Sequence, residues 1–265
     1  MSIAVMIALQ RTGTHALGSV IGQHPDVAYR DEIFSPSRAN VPGGYFHFLA
    51  DKLKTGPGII LPDKSVQRFN QYLKYVEESA TKPINLLDVK YSSTHHFNTE
   101  WHPLTRAPTF LELLGAYKIP IIHLKRRNIV RMTVSNLMAE STGLYTTDKA
   151  HEVRKVRLQI NPDKFLARAS FLHAEMKLMS RFLTSYPDII TLEYADLFEG
   201  NQISAVAEKK IVDLLGISDF EARAPTIIKQ IPEPLEDVIV NFDELAAKLQ
   251  PTIFAPMLFE NDASR

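Results

Sequence analysis

The sequence predicts an α/β fold with three layers, in which helices cover both faces of a mainly parallel sheet. Short apolar runs alternate with segments of helical periodicity along most of the chain, the usual pattern of parallel strands joined by crossover helices. The chain has 265 residues, 45% hydrophobic and 23% charged, which is enough for one large core. No repeat or low-complexity tract interrupts the pattern, so we expect a single domain over residues 1–265.

The strands are predicted from apolar runs of strand length bounded by turn residues. Ser2–Ala8 is the clearest, because such a continuous run fills a strand that is buried on both faces. Pro120 is placed near the start of its strand, where a missing backbone donor is tolerated. The predicted strands are Ser2–Ala8, Val27–Tyr29, Ile84–Lys90, Ile119–Lys125 and Ile189–Tyr194.

The helices are predicted from apolar residues at helical spacing together with residues that begin or end helices. In the first helix, Leu17, Val20 and Ile21 share one face, and Asn128 is a suitable N-cap for a later one. The predicted helices are Thr14–His24, Tyr45–Lys54, Ser65–Ser79, Arg106–Tyr117, Asn128–Ser141, Pro162–Ser185 and Ser204–Leu215. Residues from about 220 to 265, with five prolines, are expected to wrap this core.

Composition excludes several classes of protein. The chain has no cysteine, which excludes disulfides, thiolate metal sites and a cysteine nucleophile. Its first apolar run, Ile3–Leu9, is too short to span a membrane and lacks the features of a secretion signal, so we expect a soluble, cytoplasmic protein. The net charge is zero, yet the first 185 residues carry nine excess basic side chains. That excess favours an anionic ligand in this part of the chain.

The loop Leu9–His15, between the first strand and the first helix, has the properties of an anion site. Such a loop offers unpaired backbone N–H groups and the positive end of the helix dipole. Gly13 lets the backbone approach an anion, Thr12 and Thr14 add hydroxyl donors, and Arg11 adds a permanent charge. The phosphate-loop consensus G-x-x-x-x-G-K-S/T is absent, so the domain is predicted to be P-loop-like in architecture only.

A second basic loop follows the fourth strand. Lys125, Arg126 and Arg127 end the strand, and a helix begins at Asn128. Ser135 lies about two helical turns later, on nearly the same face and roughly 10 Å along the axis. An arginine at the loop and this hydroxyl could together hold a phosphate dianion, and two such loops at one sheet edge are unlikely to coincide by chance.

These residues resemble the sulfotransferases that use 3′-phosphoadenosine 5′-phosphosulfate (PAPS). The first loop of that family reads Arg/Lys, Ser/Thr, Gly, Ser/Thr, Ser/Thr. Here the same positions are Arg11-Thr12-Gly13-Thr14, and His15 departs from the usual hydroxyl residue.

The resemblance extends to three later places. Arg127 with Ser135 eight positions on is similar to the family's second element. The run Asp31–Phe34 is similar to a glutamate-containing segment of bacterial carbohydrate and glycolipid members. Leu192–Leu197 resembles a late strand end of the family, with Ala195 replacing a glutamate.

The resemblance implies a sulfotransferase that moves the sulfuryl group of PAPS in line to a carbohydrate or glycolipid hydroxyl, with no metal. Arg127 and Ser135 would bind the 3′-phosphate, and Arg11 would also neutralise the leaving phosphate. Members often pair, so a homodimer is a further expectation. The loop that would cradle the 5′-phosphosulfate consists of Arg11, Thr12, Gly13, Thr14 and His15.

The acceptor hydroxyl needs a base, and Glu32 is the candidate, with a pKa expected to rise toward the working pH near a partly buried substrate. Glu32 could equally be a structural carboxylate paired with Arg30. His15, His95 and His96 are reserve bases. Lys90, at the end of the third strand, could contact substrate or cofactor, but the preferred expectation is that it extends its ammonium group to solvent.

Two other classes of function remain open. A nucleotide kinase would need Mg²⁺, and although the fourth strand ends in cations, Asp88 could supply a ligand. A protein that only binds an anionic nucleotide or polysaccharide would keep the basic loops but would not need Glu32. Nucleic-acid binding is not expected, because the basic stretch Lys149–Arg157 lacks interleaved aromatics.

The acceptor pocket is predicted to draw on Ser35–Lys64, Tyr91–Arg106 and Ser141–Pro162. Aromatic rings in these segments could stack on sugars, although core packing is their more frequent role. The aromatic candidates are Tyr45, Phe46, Phe97 and Trp101.

Overall fold

The computed structural model describes residues 2–101, 103, 105–149, 156–200, 202–218, 224–225 and 234–260. Most of the basic stretch Lys149–Arg157 and much of the segment from 220 to 234 lie outside these ranges. The strands are β1 (Ser2–Ala8), β2 (Val27–Arg30), β3 (Ile84–Lys90), β4 (Ile121–Lys125) and β5 (Ile189–Glu193), and a separate antiparallel pair consists of β6 (Phe198–Glu199) and β7 (Gln202–Ile203).

The large sheet has the order β2-β3-β1-β4-β5, and every neighbouring pair is parallel. The prediction of an α/β fold with a mainly parallel sheet is therefore confirmed. β1 is central and buried from Ile3 onward. Its last residue, Ala8, pairs with Lys90 on one side and with Leu124 on the other. This register brings the loops after β1, β3 and β4 together at one edge of the sheet.

Helices pack on both faces of the sheet, as predicted. Alternate residues of β1 point to opposite sides, with Val5 and Ile7 in one core and Met6 and Ala8 in the other. The second core is covered by α1 (Thr14–Ile21) and α7 (Ala205–Leu215). The first and larger core is covered by α2 (Tyr45–Thr55), α3 (Ser65–Glu78), α4 (Thr109–Ala116), α5 (Ile129–Thr142), α6 (Pro162–Leu183) and α8 (Phe242–Leu249).

Element boundaries differ from the predictions by a few residues. The first helix ends at Ile21 rather than His24, because Gly22 ends it and a turn follows. The helix predicted from Arg106 begins at Thr109, directly after Pro108. Asn128 caps α5, and its side-chain oxygen accepts a hydrogen bond from the N–H of Arg131 at 2.9 Å.

The chain from 234 to 260 packs on the larger core. Leu258, like α8, contributes buried side chains there. The end of this segment also touches the start of α5: Asn128 Nδ2 donates to the carbonyls of Met257 and Glu260, and Arg131 Nε donates to the carbonyl of Glu260. Within the described part of the chain, no helix has the length and apolar character needed to cross a bilayer.

Candidate functional site

The loop between β1 and α1 has a backbone conformation that exposes its N–H groups. Arg11 and Gly13 both have positive φ angles, 62° and 92°. In the described residues, the N–H groups of Gly13, Thr14 and His15 donate no hydrogen bond to the protein. The loop therefore keeps the free donors that an anion site requires.

Gly13 is required by space as well as by its φ angle. A Cβ at this position would lie 2.6 Å from Cε2 of Tyr194, the residue after β5. The guanidinium of Arg126 lies 4.7 Å from the centre of the same ring, and its NH1 donates to the carbonyl of Arg11 at 2.9 Å. Tyr194 and Arg126 thus hold the loop in its left-handed turn.

The first loop and α5 are joined directly by side chains. Nε of Arg11 donates to Oγ of Ser135 at 2.9 Å, and its NH1 donates to the carbonyl of Tyr145. Burial, and then the adjacent charge of Arg126, lower the pKa of Arg11 from its usual value. Positive charge is therefore concentrated where the two predicted anion loops meet.

The two threonines of the loop have different roles. Thr12 is buried, and its hydroxyl donates to the carbonyl of Leu9 at 2.7 Å, so this hydroxyl braces the turn instead of facing a ligand. The sequence prediction of Thr12 as a side-chain donor is therefore wrong in this structure. Thr14 Oγ1 accepts a hydrogen bond from Nζ of Lys90. The ammonium of Lys90 occupies one lone pair of the Thr14 hydroxyl oxygen. The hydroxyl hydrogen of Thr14 can therefore be donated to an anion.

Lys90 does not extend to solvent, contrary to the prediction, since only 3% of it is exposed. Its ammonium lies 2.8 Å from both carboxylate oxygens of Asp88 and 3.6 Å from Oε1 of Glu32. Asp88 is fully buried and also accepts from Tyr29 at 2.8 Å. Both oxygens of Asp88 are therefore engaged, which argues against Asp88 as a metal ligand.

Glu32 follows β2, has a φ angle of 36°, and its carboxylate contacts His15 of α1. Nε2 of His15 lies 3.4 Å from Oε1 of Glu32. This hydrogen bond from His15, followed by the charge of Lys90, lowers the pKa of Glu32 despite the opposing effect of burial. The expectation of a raised pKa was wrong. Arg30 instead donates to Asn85 and to backbone carbonyls.

In the described residues, His15, Asp31 and Glu32 form the one group with the spacing of metal ligands. Arg38 is paired with Asp31, and Lys90 lies beside Glu32. The two carboxylates thus already have cationic partners. A divalent ion here would be repelled by those partners, Arg38 and Lys90. We assign no metal to this cluster.

Arg127 lies at the predicted sheet edge but is not brought against Ser135. It is 69% exposed, and its Nε lies 3.3 Å from Oε1 of Glu193. Lys125 is 3.7 Å from the same oxygen. Arg127 must therefore turn away from Glu193 before it can contact a ligand held by Ser135.

The predicted aromatic residues of an acceptor pocket divide into two groups. Tyr45 and Phe97 are fully buried core residues, as expected for most such rings, and they are not available to stack on a sugar. Phe46 is partly buried, and Trp101 is 85% exposed. An open cleft of about 430 Å³ lies between α2 and α3, in part of the predicted acceptor segment, but none of the predicted site residues lines it.

Sequence reasoning named Asp88, Lys90 and Arg126 but missed that these residues, with Tyr194, hold the site together. Asp88 and Lys90 alternate on one side of β3, and this spacing at the end of a buried strand is the signal that could have identified a buried pair. Arg126 follows β4 and Tyr194 follows β5, and these two strands are adjacent in the sheet. Their proximity can therefore be predicted once the sheet order is known. Comparison with models of known protein families finds no match, and no curated protein matches the chain.

Proposed function

We propose that the chain is a P-loop-like sulfotransferase that moves the sulfuryl group of PAPS to a hydroxyl of a carbohydrate or glycolipid. The observation that carries this proposal is the Arg11–Ser135 hydrogen bond, which joins the first anion-suited loop to α5, the helix that follows the second loop at the adjacent strand. A doubly anionic adenosine nucleotide needs two such loops within the span of one ligand. A cytoplasmic location and a homodimer remain predictions.

The residues present suit such a nucleotide. The free N–H groups of Gly13, Thr14 and His15 and the hydroxyl of Thr14 are donors for the 5′-phosphosulfate. The lack of a Cβ on Gly13 lets the loop pass beside Tyr194 in the left-handed conformation that exposes these N–H groups. The hydroxyl of Ser135 accepts from Arg11, so its hydrogen can be donated to the 3′-phosphate.

In the proposed reaction, the acceptor oxygen forms a bond to sulfur as the bond between sulfur and the 5′-phosphate oxygen breaks. Arg11 balances the negative charge that grows on the departing phosphate, and Glu32 takes the proton of the acceptor hydroxyl. The products are the sulfate ester and 3′-phosphoadenosine 5′-phosphate (PAP). Arg127 leaves its partner Glu193 and binds the 3′-phosphate instead.

The contacts of Thr14 and Asp88 favour this reaction over Mg²⁺-dependent kinase chemistry. In phosphate-loop kinases a loop hydroxyl and an acidic residue bind the metal. Here Lys90 bonds to both candidate groups, and its ammonium would lie next to the ion. A metal that bound Asp88 would have to displace Lys90 and so break a buried ion pair, at a cost of about 3–5 kcal/mol.

Calorimetry tests which nucleotide the protein binds. We expect PAP to bind without Mg²⁺ at least about tenfold more tightly than ADP, and R127A to lose most of that difference. Arg106, an exposed arginine paired with Glu112, supplies the matched control R106A. Preference for ADP with Mg²⁺ would instead identify a kinase.

Turnover separates an enzyme from a binding protein. Release of PAP from PAPS is measured with a panel of mono- and disaccharides and glycolipids, and with water as the basal acceptor. We expect transfer with wild type and a loss of about 100-fold or more in E32Q, since general base catalysis contributes 10²–10⁴. Binding of PAP with no transfer in wild type would reduce the function to nucleotide binding.

A further inference from the structure

The open cleft between α2 and α3 has the size of a ligand site, about 430 Å³. Lys52 and Thr55 of α2 and Ile59 of the following turn line one side, and Gln67 and Gln71 of α3 line the other. None of these residues belongs to the candidate nucleotide site. The cleft is therefore a separate feature that the proposed reaction leaves without a role.

The cleft presents neutral polar groups that are not used within the described part of the chain. The side-chain amides of Gln67 and Gln71 make no hydrogen bond to any described residue, and they lie one helical turn apart on the same face of α3. An amide offers both donors and an acceptor, which suits neighbouring hydroxyls of a sugar ring. A Cβ at Gly56 would meet no atom within 4 Å, so a ring can approach the backbone there.

The cleft also has an excess of positive charge. Lys52 and Lys64 line it, and no acidic side chain is among its described lining residues. The ammonium of Lys52 has no ion-pair partner in the described ranges. Lys64 lies 3.6 Å from Asp63, but both side chains are largely exposed, so the pair is weak. A ligand with negative groups is therefore favoured over a neutral one.

Arg68 of α3 is buried next to the cleft and fixes one side of it. The residue is only 1% exposed, and its guanidinium donates to the carbonyls of Ile59 at 2.9 Å and of Phe97 at 3.0 Å. The same guanidinium lies 4.8 Å from the centre of the Phe97 ring, and no described carboxylate is within ion-pair distance. Its charge adds to that of the two lysines, and its bonds hold the cleft in a preformed shape.

We propose that this cleft binds an anionic oligosaccharide, one that carries carboxylate or sulfate groups. The two amides and the open backbone at Gly56 bind its hydroxyls, and Lys52 and Lys64 bind its acidic groups. Binding as such is independent of the proposed reaction. The further assignment, that the oligosaccharide is the unreacting part of the acceptor, rests on the proposed sulfuryl transfer.

The position of α2 sets the length of acceptor that this assignment requires. The N–H of Tyr45, the first residue of α2, donates to the carbonyl of Ile33, the neighbour of Glu32. Lys52 lies seven residues later, about 10 Å along the helix axis. A single sugar therefore does not occupy the cleft and reach Glu32 together, whereas a chain of several sugar units spans both.

Calorimetry without nucleotide tests the cleft. The probes are a uronate oligosaccharide, a sulfated one and a neutral one of matched length, together with poly-glutamate and inorganic sulfate. We expect the two acidic oligosaccharides to bind with a Kd below about 1 mM, at least tenfold more tightly than the neutral one, and more weakly as salt is added. Equal binding of the neutral oligosaccharide, of poly-glutamate or of sulfate alone overturns the proposal.

Variants on both walls locate the binding. Q67A/Q71A removes both amides, and we expect at least about tenfold weaker binding of the acidic oligosaccharides. The control is N70A, an exposed amide of the same helix outside the cleft. If the double variant unfolds, K52Q on the other wall is compared with K54Q, since Lys54 is exposed and paired with Asp51. Equal effects of a variant and its control overturn the site.

Kinetics test the link with sulfuryl transfer. With PAPS, we expect Q67A/Q71A to raise the KM of acidic oligosaccharides about tenfold, while kcat and the affinity for PAP stay within about twofold. An unchanged KM overturns the acceptor role of the cleft. Failure of the wild type to bind PAP or to turn over PAPS overturns the proposed function, and the calorimetry without nucleotide still decides whether the cleft binds the oligosaccharide.

Discussion

Arg11 Nε and Ser135 Oγ are joined by a hydrogen bond of 2.9 Å between residues 124 positions apart in sequence. One partner belongs to the loop after the central strand, and the other to the second turn of α5. The bond orients the guanidinium of Arg11 and the hydroxyl of Ser135 toward each other. It links the first loop to α5, and it is where the proposed anion site can be tested.

S135A removes the hydroxyl that would donate to the 3′-phosphate. We expect affinity for PAP, measured by calorimetry, to fall about tenfold, equivalent to about 1.4 kcal/mol, because a hydrogen bond to a charged group is lost. S141A is the control, since Ser141 is an exposed serine of the same helix. Equal affinities of S135A and S141A would show that Ser135 does not contact the ligand.

G13A adds a Cβ that overlaps Tyr194, at a residue whose φ is 92°. We expect urea unfolding to show a loss of more than about 2 kcal/mol, together with loss of PAP binding. The control G143A separates backbone strain from the clash with Tyr194. Gly143 has a φ of 69° with open space around it, so backbone strain alone should cost about 1 kcal/mol in this variant. A similar loss in both variants would contradict close packing of Tyr194 on the loop.

K90M leaves the buried carboxylate of Asp88 without its cation. We expect the free energy of unfolding to fall by about 3 kcal/mol or more, and the double variant D88N/K90M to recover part of that loss because no buried charge remains. Lys74, which is exposed and paired with Glu78, provides the control K74M, with an expected change below about 0.5 kcal/mol. An equally small effect of K90M would show that its ammonium is solvated.

His123 gives the protein a predictable sensitivity to acid. Burial, and then the charge of Lys125, lower the pKa of His123 to about 4, whereas an unfolded histidine titrates near 6.5. The unfolded chain therefore binds the proton first, and stability falls as the pH drops from about 6.5 to about 4, by about 3 kcal/mol in total.

H123Q should flatten this part of the pH profile of unfolding, and H95Q, at an exposed histidine, should not. The tyrosine that bonds His123 stays protonated throughout, because burial raises the pKa of Tyr91 far above neutral pH. An unchanged acid slope in H123Q would place the sensitivity elsewhere.

The pattern of apolar residues was sufficient to predict the parallel sheet, because β1, β3 and β4 are buried apolar runs whose ends are marked by turns or charges. It also placed Arg11 and Ser135 at one edge of the sheet, since loops after neighbouring parallel strands must meet there. Packing could not be predicted in the same way. A strand-end lysine can reach water or a buried carboxylate, and the position of Asp88 two residues earlier on the same side of β3 was the signal for Lys90.

Side-chain charge states were harder to predict than positions. Glu32 was identified as a titrating carboxylate, but the direction of its pKa shift depends on His15 and Lys90, which belong to two other elements. Arg127 was placed correctly at the sheet edge, yet the partner it contacts, Glu193, lies on β5, and sequence spacing does not reveal that pairing.

The contact between the start of α5 and the segment that ends at Glu260 has a consequence for biosynthesis. Asn128 Nδ2 and Arg131 Nε donate to carbonyls 129 residues further along the chain, so these contacts form only after residues 257–260 have been synthesised. The start of the helix that carries Ser135 is therefore held by a segment that is made much later than the helix itself.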